Sequence, residues 1–173
     1  MQALRTACVL TILAAAPLTI NRATAQDEFC RSFAWSVGRE VDLFDEPLPV
    51  ARDGQSLPKE GAFSVALKPV AEVIYPVAPD RGSDSGKGAV VTIENLPAGR
   101  YQIALSAEAW VDAVQDNRKL ATARFGRDEK CPGVRRSIEV EAKGLPLTLQ
   151  LGGAAVDRIN VAVLRIWPFE WRW

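Results

Sequence analysis

Along much of the chain, apolar and polar residues alternate with a period of two, the mark of strands with one buried face. The pattern is strongest in the second half. AVVTIEN (89–95) reads as a strand, Leu96-Pro97-Ala98-Gly99 as a turn, and RYQIALS sets Tyr101, Ile103 and Leu105 against Arg100, Gln102 and Ala104. AWVDAVQDNRKLATARF reads as a hairpin with Gln115-Asp116-Asn117-Arg118 at its tip, where short polar residues tolerate the backbone of a tight turn. VRRSIEVEA, PLTLQLGG and DRINVAVLRIW predict three further strands, separated by Lys143-Gly144 and Gly152-Gly153.

The first half is less regular. SFAWSV places Phe33, Trp35 and Val37 on one side and predicts the first strand. GREVDLFDEPLPVA suits a short helix stopped before Pro47, or an irregular edge. Asp53-Gly54 and Pro58 mark a loop, AFSVALKPV alternates Phe63, Val65 and Leu67, and AEVIYPV (71–77) reads as extended. The tract APDRGSDSGKG is a polar connection; its glycines lack the spacing and following helix of a phosphate-binding loop. Turn signals about every 8–12 residues predict an all-β chain, a single β-sandwich (jelly-roll or Ig-like) of about 8–10 short strands.

The order LPAGRYQIALS, AWVDAV, GLPLTLQLGGAAVDRINVAVLR, with its Gly-x-Tyr strand and its late strand ending in VAV, resembles the β-sandwich modules attached to secreted hydrolases. These include pre-peptidase C-terminal-like domains and carbohydrate-binding jelly rolls. The resemblance implies a non-catalytic binding or accessory role, and it carries over no binding residue. This chain differs from those modules in reading as a stand-alone exported protein.

Residues 1–25 explain that last expectation. Arg5 precedes the uncharged run Cys8–Ile20, and Ala23-Thr24-Ala25 fits a small-x-small cleavage site, the layout of a secretory signal peptide. The run is too short for the ~18–20 residues of a membrane span, and Pro17 and Asn21-Arg22 interrupt it. Cleavage after Ala25 leaves residues 26–173 as one domain, periplasmic or secreted. It also discards Cys8, leaving Cys30 and Cys131 to form a disulfide in an oxidising compartment.

Without Arg5 and Arg22 the exported chain has 19 basic and 21 acidic residues, a net charge of −2, which gives nucleic acid no purchase. There is no histidine, which removes Ser-His-Asp and Cys-His nucleophiles and imidazole metal ligands. No catalytic residue, metal site or cofactor is therefore assigned. Carboxylate chemistry remains open, since glycoside hydrolysis needs two suitably spaced acids. The candidate pools are Glu40, Asp42, Asp45 and Glu46, read as a solvated face, and Glu108 and Asp112, read as the outward side of a strand whose Trp110 points inward. Asp80 and Asp84 could offer oxygens to calcium, but no DxDxD pattern accompanies them.

Two features suggest a contact surface. Residues 118–136 carry seven bases (Arg118, Lys119, Arg124, Arg127, Lys130, Arg135, Arg136) against Asp128 and Glu129, while residues 27–60 hold eight acids and four bases. The disulfide would bring the two regions together and neutralise them; left exposed, the bases would suit an acidic ligand. The tail IWPFEWRW sets Trp167, Phe169, Trp171 and Trp173 on one side if extended, with Trp167 packed and Trp171 and Trp173 partly exposed. A transmembrane barrel would also end in such a strand, but Pro168 breaks its ladder. The expected function is thus non-catalytic binding of an envelope polysaccharide or another exported protein, through Trp171, Trp173, Arg118, Lys119, Arg135 and Arg136. No membrane insertion is expected. The rivals are a carboxylate-dependent glycoside hydrolase and a small outer-membrane barrel.

Overall fold

A computed structural model describes residues 29–79 and 85–167. The expected signal peptide, Asp80, Asp84 and residues 168–173 lie outside the described residues. Two β-sheets pack face to face. The first runs, in spatial order, β1 (Val50–Ala51), β3 (Gly61–Ala66), β12 (Arg158–Arg165), β6 (Gly99–Leu105), β10 (Arg136–Ala142) and β9 (Thr122–Arg127). The second runs β2 (Gln55–Lys59), β5 (Lys87–Asn95), β11 (Leu147–Ala154), β7 (Trp110–Gln115) and β8 (Arg118–Lys119), with β4 (Lys68–Pro69) added against the start of β5. The all-β sandwich is therefore as the alternation predicts. Twelve strands are formed among the described residues, more than the pattern suggests, because β1, β4 and β8 have two residues each and are too short to show a period.

Most neighbours are antiparallel, and β1 with β3 and β2 with β5 are parallel. The space between the sheets is filled by Val65, Ile103, Leu105, Ile138, Val140 and Val161 from one side and Val91, Ile93, Leu147, Leu149 and Leu151 from the other. Full burial of each such side chain contributes about 1.5–3 kcal/mol. An aliphatic interior is the opposite of the polar lumen of a membrane barrel.

The chain passes between sheets on both sides of the sandwich. From β1 to β2 the crossing is the Asp53-Gly54 turn, where Asp53 accepts a hydrogen bond from the Val90 N–H (2.8 Å) and pairs with Lys68 (2.7 Å). On the other side the β7–β8 hairpin turns through Asp116 and Asn117, both at positive φ (51° and 53°), as a tight polar turn requires. Leu120 and Ala121 then carry the chain to β9 in the first sheet.

Both outer faces are covered, which explains two departures from simple alternation. SFAWSV is not a strand. Residues 30–35 form turns and bends that lead through Ser36 and Val37 into helix α1 (Gly38–Phe44), and this strap lies across the outside of the first sheet. It rests on a row of small side chains in register across five strands: Ala62, Ala162, Ala104, Ser137 and Gly126. Phe33, Val37 and Val41 bury against this row, so Gln102 and Ala104 are as buried as the inward-facing Tyr101, Ile103 and Leu105. The Trp35 indole N–H donates to Ser137 (3.2 Å), and Cys30 bonds Cys131 across 101 residues of sequence, with an S–S length of 2.03 Å.

The second sheet is covered by residues 70–77. AEVIYPV is not a strand either: Val70–Glu72 make a 3-10 turn, and the following segment is tied down by side chains. The Val77 N–H donates to the Gln150 side-chain oxygen and the Gln150 amide donates back to the Val77 carbonyl, each at 2.8 Å. Tyr75 donates to the Leu151 carbonyl (2.9 Å), and burial, reinforced by the charge of Asp53, pushes its phenol up to about 12. Trp110 is buried as expected but faces outward rather than into the core. It lies over Gly152, where a Cβ would stand 2.3 Å from the indole, and its ring meets that of Tyr75 (centroids 5.3 Å apart).

Candidate functional site: a cleft between two sheet edges

At the β8-to-β9 crossing the two sheets part and leave a cavity of about 420 Å³. Its apolar floor is Val111, Ala113, Leu120 and Ile138, and Asp112, Lys119, Thr122, Phe125 and Arg136 stand around its mouth. Phe125 shares a register row with Ile138 and so points toward the interior side. Because β9 ends its sheet, no further strand among the described residues covers the ring, and it is 53% exposed.

The charged rim is paired internally. Lys119 meets Asp112 at 3.1 Å, and Arg136 meets Glu108 at 3.3 Å. The Arg136 guanidinium lies 5.3 Å from the centre of the Phe125 ring, with a side chain only 13% exposed and its Nε buried without a hydrogen-bond partner. Chemically the cleft offers an aromatic face, an apolar floor, cationic donors and carboxylate acceptors with little net charge.

Of the expected surface residues, Lys119 and Arg136 are brought together here. Arg118 is exposed at the hairpin, one residue before Lys119. Arg135 is used elsewhere: its guanidinium donates to the carbonyls of Glu129 and Cys131 and holds the loop that carries the disulfide. Trp171 and Trp173 lie outside the described residues. Trp167, expected to pack, is instead 68% exposed beneath the Arg165 guanidinium (4.8 Å), because β12 ends at Arg165 and the strap stops short of it. Phe125 escaped the sequence reading, although an aromatic within the basic stretch 118–136 was the available signal.

Arg124 and Arg127 of that stretch also have partners, drawn from nearer in sequence than residues 27–60. Arg127 pairs with Glu108 (3.0 Å) and Glu129 (2.7 Å), and Arg124 pairs with Glu139 (3.3 Å) while lying over Trp35 (4.8 Å). The stretch also meets the strap through Asp128, whose carboxylate accepts the Ser32 N–H at 3.2 Å. Burial alone would raise the Asp128 pKa, but hydrogen bonds from the backbone of Lys130, Ser32 and Cys131 outweigh it and hold the carboxyl below its ordinary 3.8.

The acidic segment 40–46 is not uniformly solvated. Asp42, Asp45 and Glu46 are exposed, whereas the Glu40 side chain is 1% exposed and neither carboxylate oxygen has a hydrogen-bond partner. Burial raises its pKa, opposed by the polarity of its own backbone N–H and by the Arg39 guanidinium 3.9 Å away. Sealed on the inner face of α1, it is out of reach of a substrate in this fold.

No family model matches the chain, and no curated protein matches it. Among solved structures the chain is similar to the pre-peptidase C-terminal domain of a collagenase from Bacillus anthracis, 14% identical, covering 69% of this chain and 100% of that domain at a TM-score of 0.39. That domain is of the class that residues 96–165 resemble in sequence.

Proposed function

We propose that this is an exported, non-catalytic binding protein whose cleft takes a neutral envelope glycan. The observation that carries the reading is the exposed Phe125 ring set between two internally neutralised ion pairs, Lys119–Asp112 and Arg136–Glu108. A sugar has an apolar face that can lie on an aromatic ring and hydroxyls that both donate and accept, and this rim supplies both partners. An acidic polysaccharide fits less well, since its charge would compete with Asp112 and Glu108 for the same cations. Glycoside hydrolysis is disfavoured because the one nominated acid that lines the cleft, Asp112, is held by Lys119, and Glu108 behind Arg136 is shared by Arg136 and Arg127. Export is supported by the signal-like N-terminus and by the disulfide, a bond that persists in oxidising compartments.

A protein partner is the second reading, favoured by one observation: β9 ends its sheet, so the polar groups along its outer edge are open to pairing by an added strand. A glycan array probed with the purified chain tests the two. Retention on neutral hexose glycans supports the cleft reading. Retention confined to uronate or sulfate glycans, or on none, overturns it.

A further inference from the structure

The floor of the cleft differs in chemistry from its mouth. Val111 and Ala113 of β7 face the space between the sheets, since their register partners Leu151 and Leu149 belong to the core. Ile138 of β10, another core residue, faces that space from the first sheet, and Leu120 stands on the crossing from β8 to β9. These four side chains offer a ligand only carbon and hydrogen. The charged residues that line the cleft, Asp112, Lys119 and Arg136, stand at the mouth, where Lys119 and Asp112 form a pair at 3.1 Å. The interior beyond is filled by Val140, Leu147 and Leu149, all fully buried, which limits the recess to a short substituent.

A sugar ring stacked on Phe125 meets this floor with whatever the ring carries. A hydroxyl placed there loses its water and finds no partner, whereas a methyl group gains by burial. We infer that the cleft selects hexosamine units that carry an N-acetyl group. The acetyl methyl rests on Val111, Ala113, Leu120 and Ile138, and the amide stays at the mouth, where the Asp112 carboxylate accepts its N–H and a cation of the rim donates to its carbonyl. An amide has one donor and one acceptor, as a rim of paired opposite charges requires. An acetyl ester lacks the donor, and a free amine lacks the methyl. The cleft, at about 420 Å³, falls within the ~300–1,000 Å³ of small-molecule sites. This inference rests on the neutral-glycan reading and narrows it: plain hexoses bind in the same way, more weakly.

Calorimetric titration of the purified chain with three β-linked tetrasaccharides, of glucose, of N-acetylglucosamine and of glucosamine, tests this. The N-acetylglucosamine tetramer should bind at least tenfold more tightly than either of the others. In saturation-transfer NMR on the same unmodified chain, its acetyl methyl should receive more saturation than its ring protons. Val111→Phe fills the floor and should reduce the preference for the acetylated tetramer over the glucose tetramer to less than twofold. Equal or tighter binding of the glucose or the glucosamine tetramer, an acetyl methyl that receives no more saturation than the ring, or a preference that survives Val111→Phe overturns the inference and leaves the neutral-glycan reading standing. Binding of none of the three overturns it as well, and the glycan array then decides the reading beneath it.

Discussion

Gly126 lies so close beneath the ring of Phe33 that a Cβ at that position would stand 2.6 Å from Phe33 Cδ1 and 3.3 Å from the Trp35 ring. The strap and the first sheet are thus fitted to each other at a position where only hydrogen is tolerated. Gly126→Ala should push the ring off the sheet and cost about 1–3 kcal/mol, the usual range for overpacking. Thermal unfolding measures the loss, and faster amide exchange in residues 31–41 locates it.

The disulfide fixes the start of the same strap. Replacing both Cys30 and Cys131 by serine frees a loop of 101 residues in the unfolded chain and should lower stability by about 3–4 kcal/mol. Urea unfolding of the double variant checks this. Cys131 is fully buried, so reduction of the native protein should be slow until it unfolds.

Glu40 makes stability depend on pH in a direction opposite to most carboxylates. Its pKa is raised by burial, so the folded chain binds this proton more tightly than the unfolded chain. The stabilisation is complete below the ordinary value of 4.5 and is lost as pH rises through the folded value. Glu40→Gln should therefore be the more stable protein at neutral pH, by on the order of 1 kcal/mol and with a higher Tm, and the gain should vanish near pH 4. A set of melts between pH 4 and 8 decides it.

Asp128 has the opposite sign. Its folded pKa is depressed by backbone hydrogen bonds, so its contribution is present above the ordinary 3.8 and disappears as pH falls through the folded value. Asp128→Asn should destabilise the protein at neutral pH, where it removes the carboxylate acceptor for Ser32 and Lys130, and should converge with the parent in strong acid. Acid titration of both proteins, followed by circular dichroism, provides the comparison.

The later strands were legible in sequence because each alternates over six or more residues and ends at a polar or glycine turn. The 99–105 and 158–165 strands and the 110–119 hairpin fall where the pattern puts them. SFAWSV misleads for a physical reason: Phe33 and Val37 are buried and Trp35 is half-buried, as alternation implies, but what they cover is a neighbouring sheet's outer face rather than a sheet they join. The same covering hides Gln102 and Gln150, whose polar character predicts exposure and whose hydrogen bonds to Ser36 and Val77 permit burial. At the candidate site, charge could be read as a cluster but pairing could not, because Glu108, Asp112 and Glu139 reach their bases only after the sheets form. Phe125 gains its role from standing on an edge strand, a fact of topology rather than of local sequence.

The central claim is that the cleft at Phe125 and Arg136 binds a neutral sugar and leaves it intact. Isothermal titration calorimetry with a neutral hexose oligosaccharide chosen from the array, on the parent chain and on Phe125→Ala and Arg136→Gln, tests it most directly, with chromatography of the cell contents afterwards. The account predicts at least a tenfold loss of affinity in each variant at unchanged Tm and only intact ligand recovered. Equal affinity in all three proteins, or shorter saccharides in the cell, would contradict it.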